Sequence, residues 1–481
     1  MQNFIGGRWI EGAGSTRKII DPSNEQILEE FREASQEQTQ EAIQAARTAF
    51  DHGEWAQDRS LRVRALHELA DRLEAASEEF ARLETLNTGK PIRESRLDIS
   101  DSVACLRYYA ELAKESQPQV IAREEETESL IIEEPIGVCG LIVPWNFPLL
   151  LGLWKLAPAL AAGNTVIFKP SELTPLTIVK LMELVEQCPF PSGVVNLVLG
   201  AGDPVGATIV NSPEVDKISF TGGTVTGRSI YEACAAQIKR VSLELGGKSP
   251  LIVLNDADLA LAVEWAVFGS FFNQGQVCVA SSRLLVHQDL ADPFLQRLSE
   301  KLQQIRFGPP LAEETEIGPL ISAAHRDRVK SYIQAGLKEG ATLLCGGEPV
   351  GEQGYYLSPA VFVDVHQEMR IVQEEIFGPV ITVQTFETDE EAVALANGTP
   401  YGLAAGVLAG DVERARRIAA RLKAGTIWIN SYHTPFVDAP WGGFKQSGIG
   451  RELGPHGMNG FTETKHLHVT PTLVRLDWYG F

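Results

Sequence analysis

Short apolar runs that alternate with helix-length segments dominate the chain from residue 136 onward. GVCGLIV, TVIF, VVNLV and KISF come first, separated by segments such as LTPLTIVKLMELVEQ. This alternation is typical of parallel strands joined by crossover helices, so it predicts a doubly wound α/β unit. A second series, SPLIVL, RLLVH, PVITVQTF, AAGVLA and TIWIN, predicts another α/β unit from about residue 244 to 430.

The flanking regions have different patterns. Ser35 and Gln38 form a capping-box signal, and leucines at helical spacing continue as far as Gly89, so the N-terminal third is predicted to be helical. The segments REEETESLIIEEP and HLHVTPTLVRLDWYG alternate in polarity and are too polar for core strands. They predict a small protruding sheet that pairs with another subunit, and therefore a homodimer or homotetramer.

Charge and cysteine content narrow the class of partner. The chain of 481 residues has 63 acidic and 42 basic side chains, a net charge of −21, so it should repel nucleic acid and anionic membranes. Six cysteines without a C-x-x-C pair are too few for a disulfide scaffold and predict neither a metal site nor an oxidising compartment. A cytoplasmic protein without signal peptide or membrane span is expected.

Cys278 is the first candidate for chemistry. It follows a predicted helix and the Gly275 turn, where a thiolate could project into a cleft as a nucleophile. A single cysteine is more often a small buried apolar residue, and that alternative stays open for Cys278 taken alone.

Two further residues could act with Cys278. Glu244 ends a predicted strand before a Gly-Gly turn, where one carboxylate could serve as a general base, although most glutamates are solvated surface charges. Asn146 lies between two prolines just after a predicted strand, so its amide could donate to an oxyanion, or simply form an Asx turn.

Seven motifs occur in order along the chain: PWNFP, FKPSE, FTGGTVTG, LELGGKSP, GQVC, EEIFGPV and PWGGFKQSGIGREL. Together they resemble the aldehyde dehydrogenase superfamily over nearly the whole length. The resemblance implies an α/β fold with two doubly wound domains plus a small oligomerisation sheet. It implies a NAD-binding domain of residues 1–120 and 141–243, a catalytic domain of 244–430, returning loops of 431–461, and oligomerisation segments of 121–140 and 462–481.

The same resemblance implies roles for the candidate residues. Cys278 would be the nucleophile that forms a thiohemiacetal and then a thioester, Glu244 the general base, and Asn146 with the Cys278 N–H the oxyanion hole. Retention of Glu244 favours an acid product over transfer to coenzyme A. Relatives use a further carboxylate to relay protons, and with Pro455 at the position expected for it, the relay would depend on Lys155 or water.

NAD is the cofactor that the resemblance implies. The Gly-rich turn of FTGGTVTG precedes a predicted helix whose N-terminus suits a pyrophosphate, and a carboxylate at Glu172 should repel the 2′-phosphate of NADP. Further candidate contacts lie in the matching motifs: Trp145, Lys169, Glu172, Gly222, Gly223, Gly227, Glu375 and Phe377.

The candidate substrate pocket resembles that of the betaine aldehyde and aminoaldehyde dehydrogenases, in which ring faces attract a cation. Thr426 is small enough to leave room for betaine aldehyde, and Asp98 and Asp101 resemble an acidic pair at the entrance, or else a solvated helix face. The candidate aromatic residues are Phe147, Trp154, Phe272, Phe436 and Trp441.

These features favour a cationic aldehyde as substrate, and four alternatives remain. A broad-specificity aliphatic aldehyde dehydrogenase would use the same rings for apolar chains, and a succinate semialdehyde dehydrogenase would need an arginine that the pocket motifs lack. A thiol esterase or a catalytically silent structural protein would have no use for the cofactor motifs.

Overall fold

A computed structural model of the protein describes residues 1–115, 117–124, 127–473, 475–476 and 478–480. The strands of these residues are β1 Asn3–Ile5, β2 Arg8–Ile10, β3 Thr16–Ile20, β4 Ile27–Arg32, β5 Gln119–Glu124, β6 Thr127–Pro135, β7 Val138–Ile142, β8 Thr165–Lys169, β9 Val195–Leu197, β10 Lys217–Thr221, β11 Arg240–Glu244, β12 Pro250–Val253, β13 Arg283–His287, β14 Thr342–Cys345, β15 Ala360–Val363, β16 Val380–Phe386, β17 Ala404–Leu408, β18 Thr426–Ile429, β19 Gly448–Ile449 and β20 Thr462–Val469.

The helices lie between and before these strands. They are α1 Gln36–His52, α2 Arg59–Ala75, α3 Ser77–Thr88, α4 Ile92–Glu115, α5 Pro148–Ala162, α6 Leu176–Glu186, α7 Ala207–Asn211, α8 Thr224–Ala235, α9 Leu259–Phe271, α10 Gln288–Leu302, α11 Ala323–Lys338, α12 Arg370–Gln373, α13 Asp389–Asn397, α14 Val412–Ala419 and α15 Gly454–Asn459. The capping box at Ser35 and Gln38 is present, and α3 ends at its C-cap Gly89, after which the helical region continues with α4.

The first large sheet has the strand order β19-β11-β10-β7-β8-β9-β1-β2. Its five central strands are parallel, and the chain moves outward from β7 on one side and continues at β10 on the other. In such a sheet the crevice at the carboxyl ends of the two strands where the order reverses is the usual ligand site. The loops after β7 and β10 therefore mark the candidate cofactor cleft.

The second large sheet has the order β14-β15-β16-β13-β12-β17-β18 and is parallel except for the edge strand β14. Its central strands are fully buried because helices cover both faces of a parallel sheet. Helix α9 lies between β12 and β13 in the chain and is followed by the turn that leads to Cys278. The predicted class, two doubly wound α/β units, is present.

A small antiparallel sheet, β20-β6-β5, stands apart from both large sheets. Its register joins Thr462 to Pro135 and Val469 to Glu128, and most of β20 is exposed. Residues 125, 126, 474, 477 and 481, which belong to the predicted oligomerisation segments, lie outside the described residues. In the part of the chain that the structure describes, no helix is long and apolar enough to cross a membrane.

Candidate active site

Cys278 follows a turn whose backbone adopts an unusual, left-handed conformation. After α9 the turn Phe272–Gly275 places Asn273, Gln274 and Gly275 in the left-handed region, with φ of 47°, 57° and 71°. The half-buried Cys278 then lines a cavity of about 430 Å³. Burial and the nearby Glu375 and Glu244 raise the pKa of the thiol above its usual value.

Asn146 is fixed beside this loop. Its Nδ2 donates to the main-chain carbonyl of Gln276 at 2.9 Å, and the main-chain carbonyl of Asn146 accepts a bond from Asn273 Nδ2 at 3.1 Å. The side chain is buried and lines the same cavity as Cys278. One amide hydrogen of Asn146 is thus engaged, and the other is available to an oxyanion.

Glu244 ends β11, as predicted, and both of its carboxylate oxygens are buried without a hydrogen-bond partner among the described residues. Burial, together with the charge of Glu452, raises its pKa well above the usual value. Glu452 itself is buried and bonds Lys155 Nζ. A carboxylate so placed can take a proton readily, because its charged form has little stabilisation.

Glu452 changes the expectation for the proton relay. The sequence has Pro455 where a relay carboxylate was expected in relatives, but the buried carboxylate of Glu452, three residues earlier, contacts Lys155. Pro455 instead lies in the first turn of α15, where a missing N–H leaves no hydrogen bond unmade. The buried carboxylates Glu244 and Glu452 are therefore close enough to influence each other.

A second cavity, of about 560 Å³, adjoins the first at the carboxyl ends of β7 and β10. Both cavities are lined by Pro144, Trp145, Thr221, Gly222 and Gly223. The sequence-predicted residues Lys169 and Glu172 line only the second cavity, whereas Glu375, Phe377 and Cys278 line only the first. A dinucleotide could therefore span the two, with one end at the thiol.

The cleft fits such a ligand on three observations. The Thr221 hydroxyl is buried without a hydrogen-bond partner among the described residues, although it lines both cavities. Gly223 precedes α8 without a side-chain cap, and a Cβ built there would meet nothing within 4 Å, so the helix N-terminus is open to a phosphate. Lys169 Nζ donates to the carbonyls of Pro170 and Gly200, leaving one hydrogen free, and burial lowers its pKa to about 8.

Gly227, in contrast, does not line either cavity. It lies inside α8, where a Cβ would stand 2.4 Å from Leu245 Cδ2. Its small size lets the helix pack closely against Leu245, which is a structural reason for glycine at this position, and its contact with the cofactor stays a prediction.

Aromatic and acidic groups surround the end of the first cavity. Trp145 lies edge-on to Phe377 and to His325, with ring centroids 5.3 and 5.1 Å apart. His325 bonds the Phe377 carbonyl at 2.7 Å, and burial lowers its pKa to about 4, so it is neutral. Glu375 accepts the N–H of Gly247 at 3.1 Å, and burial raises its pKa to about 7.

The predicted substrate rings form two groups. Phe147 stacks on Phe272 at 6.3 Å, and Trp154 lies edge-on to Trp441 at 5.3 Å. Phe436 joins neither group among the described ring contacts, because its side chain is 66% exposed. Thr426 begins β18 and is half-buried.

The acidic pair has two different environments. Asp98 is buried and ion-paired with the equally buried Lys90, while Asp101 is on the exposed side of α4. Lys90 Nζ also lies 3.9 Å from the centroid of the Phe147 ring. Asp98 is therefore not a free anion at an entrance, because a lysine of the protein itself compensates it.

Sequence reasoning missed several residues that line or support the site. Glu452, Lys90, Thr221 and His325 carry no motif of their own, although Glu452 and Thr221 belong to motif strings that were recognised for other residues. His433 and Trp428 join the rings at Phe272 and Trp441, with centroid separations of 5.4 and 6.2 Å. His433 has a φ of 53°, which sequence alone does not signal.

Comparison with known proteins agrees with this geometry. The aldehyde dehydrogenase family profile matches residues 9–467. The chain is 47% identical to betaine aldehyde dehydrogenase of Bacillus subtilis over 99% of both chains, and 43% identical to the peroxisomal aminoaldehyde dehydrogenase 1 of Pisum sativum over 99% of this chain and 97% of the other. Betaine aldehyde dehydrogenase of Staphylococcus aureus in complex with NAD⁺ superposes with a TM-score of 0.97 at 44% identity, covering 100% of this chain and 97% of the other.

The chain belongs to the aldehyde dehydrogenase family. This membership confirms the predicted fold class and the prediction of an NAD-dependent aldehyde dehydrogenase.

Proposed function

We propose that the protein uses NAD to oxidise cationic aldehydes to carboxylic acids. The cationic aldehydes are aminoaldehydes or betaine aldehyde. The proposal depends chiefly on one observation: Cys278 and Asn146 line the same cavity, and the buried Glu244 is near enough to perturb the thiol. The names of the similar enzymes from Bacillus subtilis and Pisum sativum support the choice of substrate.

In the first step the Cys278 sulfur attacks the aldehyde carbon. A C–S bond forms, the thiol proton passes to solvent water, and the carbonyl electron pair moves to oxygen. The free amide hydrogen of Asn146 and the Cys278 N–H stabilise this oxyanion, because fixed donors need no reorganisation when the charge develops. NAD, when bound, accepts the hydride whose loss converts the thiohemiacetal into a thioester.

Glu244 serves the second step. Its carboxylate removes a proton from water, the hydroxide oxygen bonds the thioester carbon, and the C–S bond breaks to release the acid and the Cys278 thiolate. Glu244 must then lose the proton it has gained. The Glu452–Lys155 ion pair beside it supplies a route for that proton. The negative charge of Glu452 also raises the pKa of Glu244, so that Glu244 accepts a proton more readily.

The cofactor residues divide between the two ends of NAD. Thr221, Gly223 and the N–H groups of α8 suit the pyrophosphate, and Lys169 with Glu172 suits the adenine ribose. A carboxylate at Glu172 binds ribose hydroxyls and repels a 2′-phosphate, which favours NAD over NADP.

The aromatic groups support a cationic substrate, since rings attract ammonium groups through their faces. One observation favours a second candidate, a broad aliphatic aldehyde dehydrogenase. The ammonium of Lys90 already covers a face of Phe147, which makes this ring a poorer partner for a second cation.

NADH formation with 4-aminobutanal, betaine aldehyde and hexanal tests both candidates. The wild type should prefer the first two in kcat/KM, and Cys278→Ala should abolish turnover with all three. Cys345→Ala is the matched control, since this second half-buried thiol lies in the remote strand β14 and its loss should leave activity unchanged. A preference for hexanal would replace the cationic assignment by the aliphatic one, and activity in Cys278→Ala would refute the mechanism.

We also propose the domain boundaries and the oligomer expected from the sequence. The separate sheets support domains of 1–120 with 141–243 and of 244–430, and the exposed strand β20 supports assembly into a dimer or tetramer. Free thiols at all six cysteines support a cytoplasmic location. Light scattering after gel filtration measures the assembly, and a monomeric mass would refute the predicted oligomer.

A further inference from the structure

A chain of buried hydrogen bonds connects helix α4 with the candidate oxyanion amide. Glu94 accepts the main-chain N–H of Asn273 at 2.9 Å, and Asn273 Nδ2 donates to the main-chain carbonyl of Asn146 at 3.1 Å. Asn146 Nδ2 then donates to the Gln276 carbonyl at 2.9 Å. Glu94, Asn273 and Asn146 are each less than 5% exposed, so water competes little for these bonds.

Glu94 acts where helix α9 ends. The N–H of Phe272 still bonds the carbonyl of Phe268, but the N–H of Asn273 turns to Glu94 instead of continuing the helix. Asn273 then adopts a φ of 47°, a conformation that persists only when surrounding contacts hold it. The carboxyl of Glu94 is one of those contacts.

Burial of this carboxyl needs an explanation, because it raises the pKa of Glu94 to about 8. The positive charge of Lys90 lowers the pKa of Glu94 and so offsets part of the effect of burial, whereas the charge of Asp98 raises this pKa further. Helix α4 therefore holds an unfavourably placed acid, and its hydrogen bond is made to the turn that precedes the nucleophile.

We infer that Glu94 is a positioning residue for catalysis: through Asn273 it orients the Asn146 amide toward the oxyanion that forms at Cys278. This inference rests on the proposed function, in which Asn146 donates to the oxyanion. Glu94 itself lies outside the lining of the catalytic cavity.

Four variants test the inference. Glu94→Ala removes the acceptor, Glu94→Gln retains an oxygen that can accept the Asn273 N–H, and Asn273→Gly removes the bond to Asn146 while tolerating the left-handed φ. Ser95→Ala is the matched control, because this neighbour on α4 is also buried and hydrogen-bonded, to Thr85 at 2.7 Å, without contact to the turn.

Single-turnover NADH formation, steady-state constants and NAD binding by fluorescence are measured for each variant. Glu94→Ala and Asn273→Gly should each lower kcat about 10-fold with unchanged NAD affinity, since a small displacement of an oxyanion donor loses part of its roughly 100-fold effect. Glu94→Gln should remain within about 3-fold of wild type. The double variant Glu94→Ala/Asn273→Gly should be little worse than either single variant, because both interrupt one path.

The inference is overturned if Glu94→Ala has the kcat of Ser95→Ala, or if Glu94→Gln is as impaired as Glu94→Ala. If Glu94→Ala does not fold, Asn273→Gly decides, because it retains the Glu94 bond, and an unchanged kcat would overturn the path. Asn146→Ala separates the oxyanion role of Asn146 from the positioning role of Glu94. Full activity in Asn146→Ala refutes the proposed oxyanion role. An inactive Asn146→Ala together with a normal Asn273→Gly refutes only the positioning role.

Discussion

The two polar groups that we propose assist the chemistry at Cys278 are held in opposite ways. The side-chain amide of Asn146 donates to the Gln276 carbonyl, and its main-chain carbonyl accepts a bond from Asn273, so the amide is a fixed dipole. Glu244 is just as buried, yet neither of its oxygens has a hydrogen-bond partner among the described residues. A donor to a developing charge gains from rigidity, whereas a base gains from a carboxylate that is poorly stabilised and accepts a proton readily.

The largest effect expected from this comparison is at the base. Glu244→Gln retains the shape of the side chain but cannot take a proton from water, so steady-state kcat should fall about 1000-fold. The first turnover should survive, because addition and oxidation precede hydrolysis. A rapid burst of one NADH per active site followed by near-arrest, seen by stopped-flow absorbance, is the expected signature. Loss of the burst together with turnover would show that Glu244 is needed before the thioester forms.

The amide should contribute less, and at an earlier stage. Asn146→Ala removes one of two oxyanion donors, which lowers the rate about 100-fold. Unlike Glu244→Gln, this variant should have a slow first turnover and no burst. Asn146→Asp serves as a harsher version, since a carboxylate would repel the oxyanion, and a burst of normal rate in either variant would remove Asn146 from the addition step.

Substitution of Glu452 should change the pKa of the base, Glu244, without altering Glu244 or Asn146. Its charge raises the pKa of Glu244, while Lys155 lowers it, so Glu452→Gln both removes the anion and frees the cation. Both changes lower the pKa of Glu244, and the acid limb of the kcat–pH profile should move to lower pH. The accompanying change in kcat should be below about 10-fold. A shift to higher pH would mean that Glu452 does not act on Glu244 through charge.

The smallest effect concerns stability in acid. Burial lowers the pKa of His433 from 6.5 to about 4, so the unfolded chain binds a proton first as the pH falls below 6.5. Folding stability should therefore decrease between pH 7 and 5 by about 2 kcal/mol from this residue alone. His433→Gln should flatten the fall of Tm over that range, and His52→Gln, at an exposed position on α1, should not. Equal slopes in the two variants would contradict the assignment.

Those parts of the site that depend on local sequence were predictable. Glu244 at the end of a strand, Asn146 between prolines and the glycine turn before α8 all lie where their motifs indicated. Contacts that join distant segments were not. The Lys155–Glu452 bond spans 297 residues, and the bond from Asn146 to Gln276 spans 130. The mistaken emphasis on Pro455 arose for the same reason, since no local pattern distinguishes a buried carboxylate from an exposed one.

The left-handed residues Asn273, Gln274 and Gly275 have a consequence for the nascent chain. Besides Glu94, later parts of the protein hold this conformation: Gln276 accepts the N–H of Ile321 at 3.0 Å, and Gly275 lies so close to the Gly378 carbonyl that a Cβ would stand 2.5 Å from its oxygen. These partners leave the ribosome at least 45 and 103 residues after the turn, respectively. Until Ile321 and Gly378 have been synthesised, the turn before Cys278 therefore lacks two of the contacts that hold it in the folded protein.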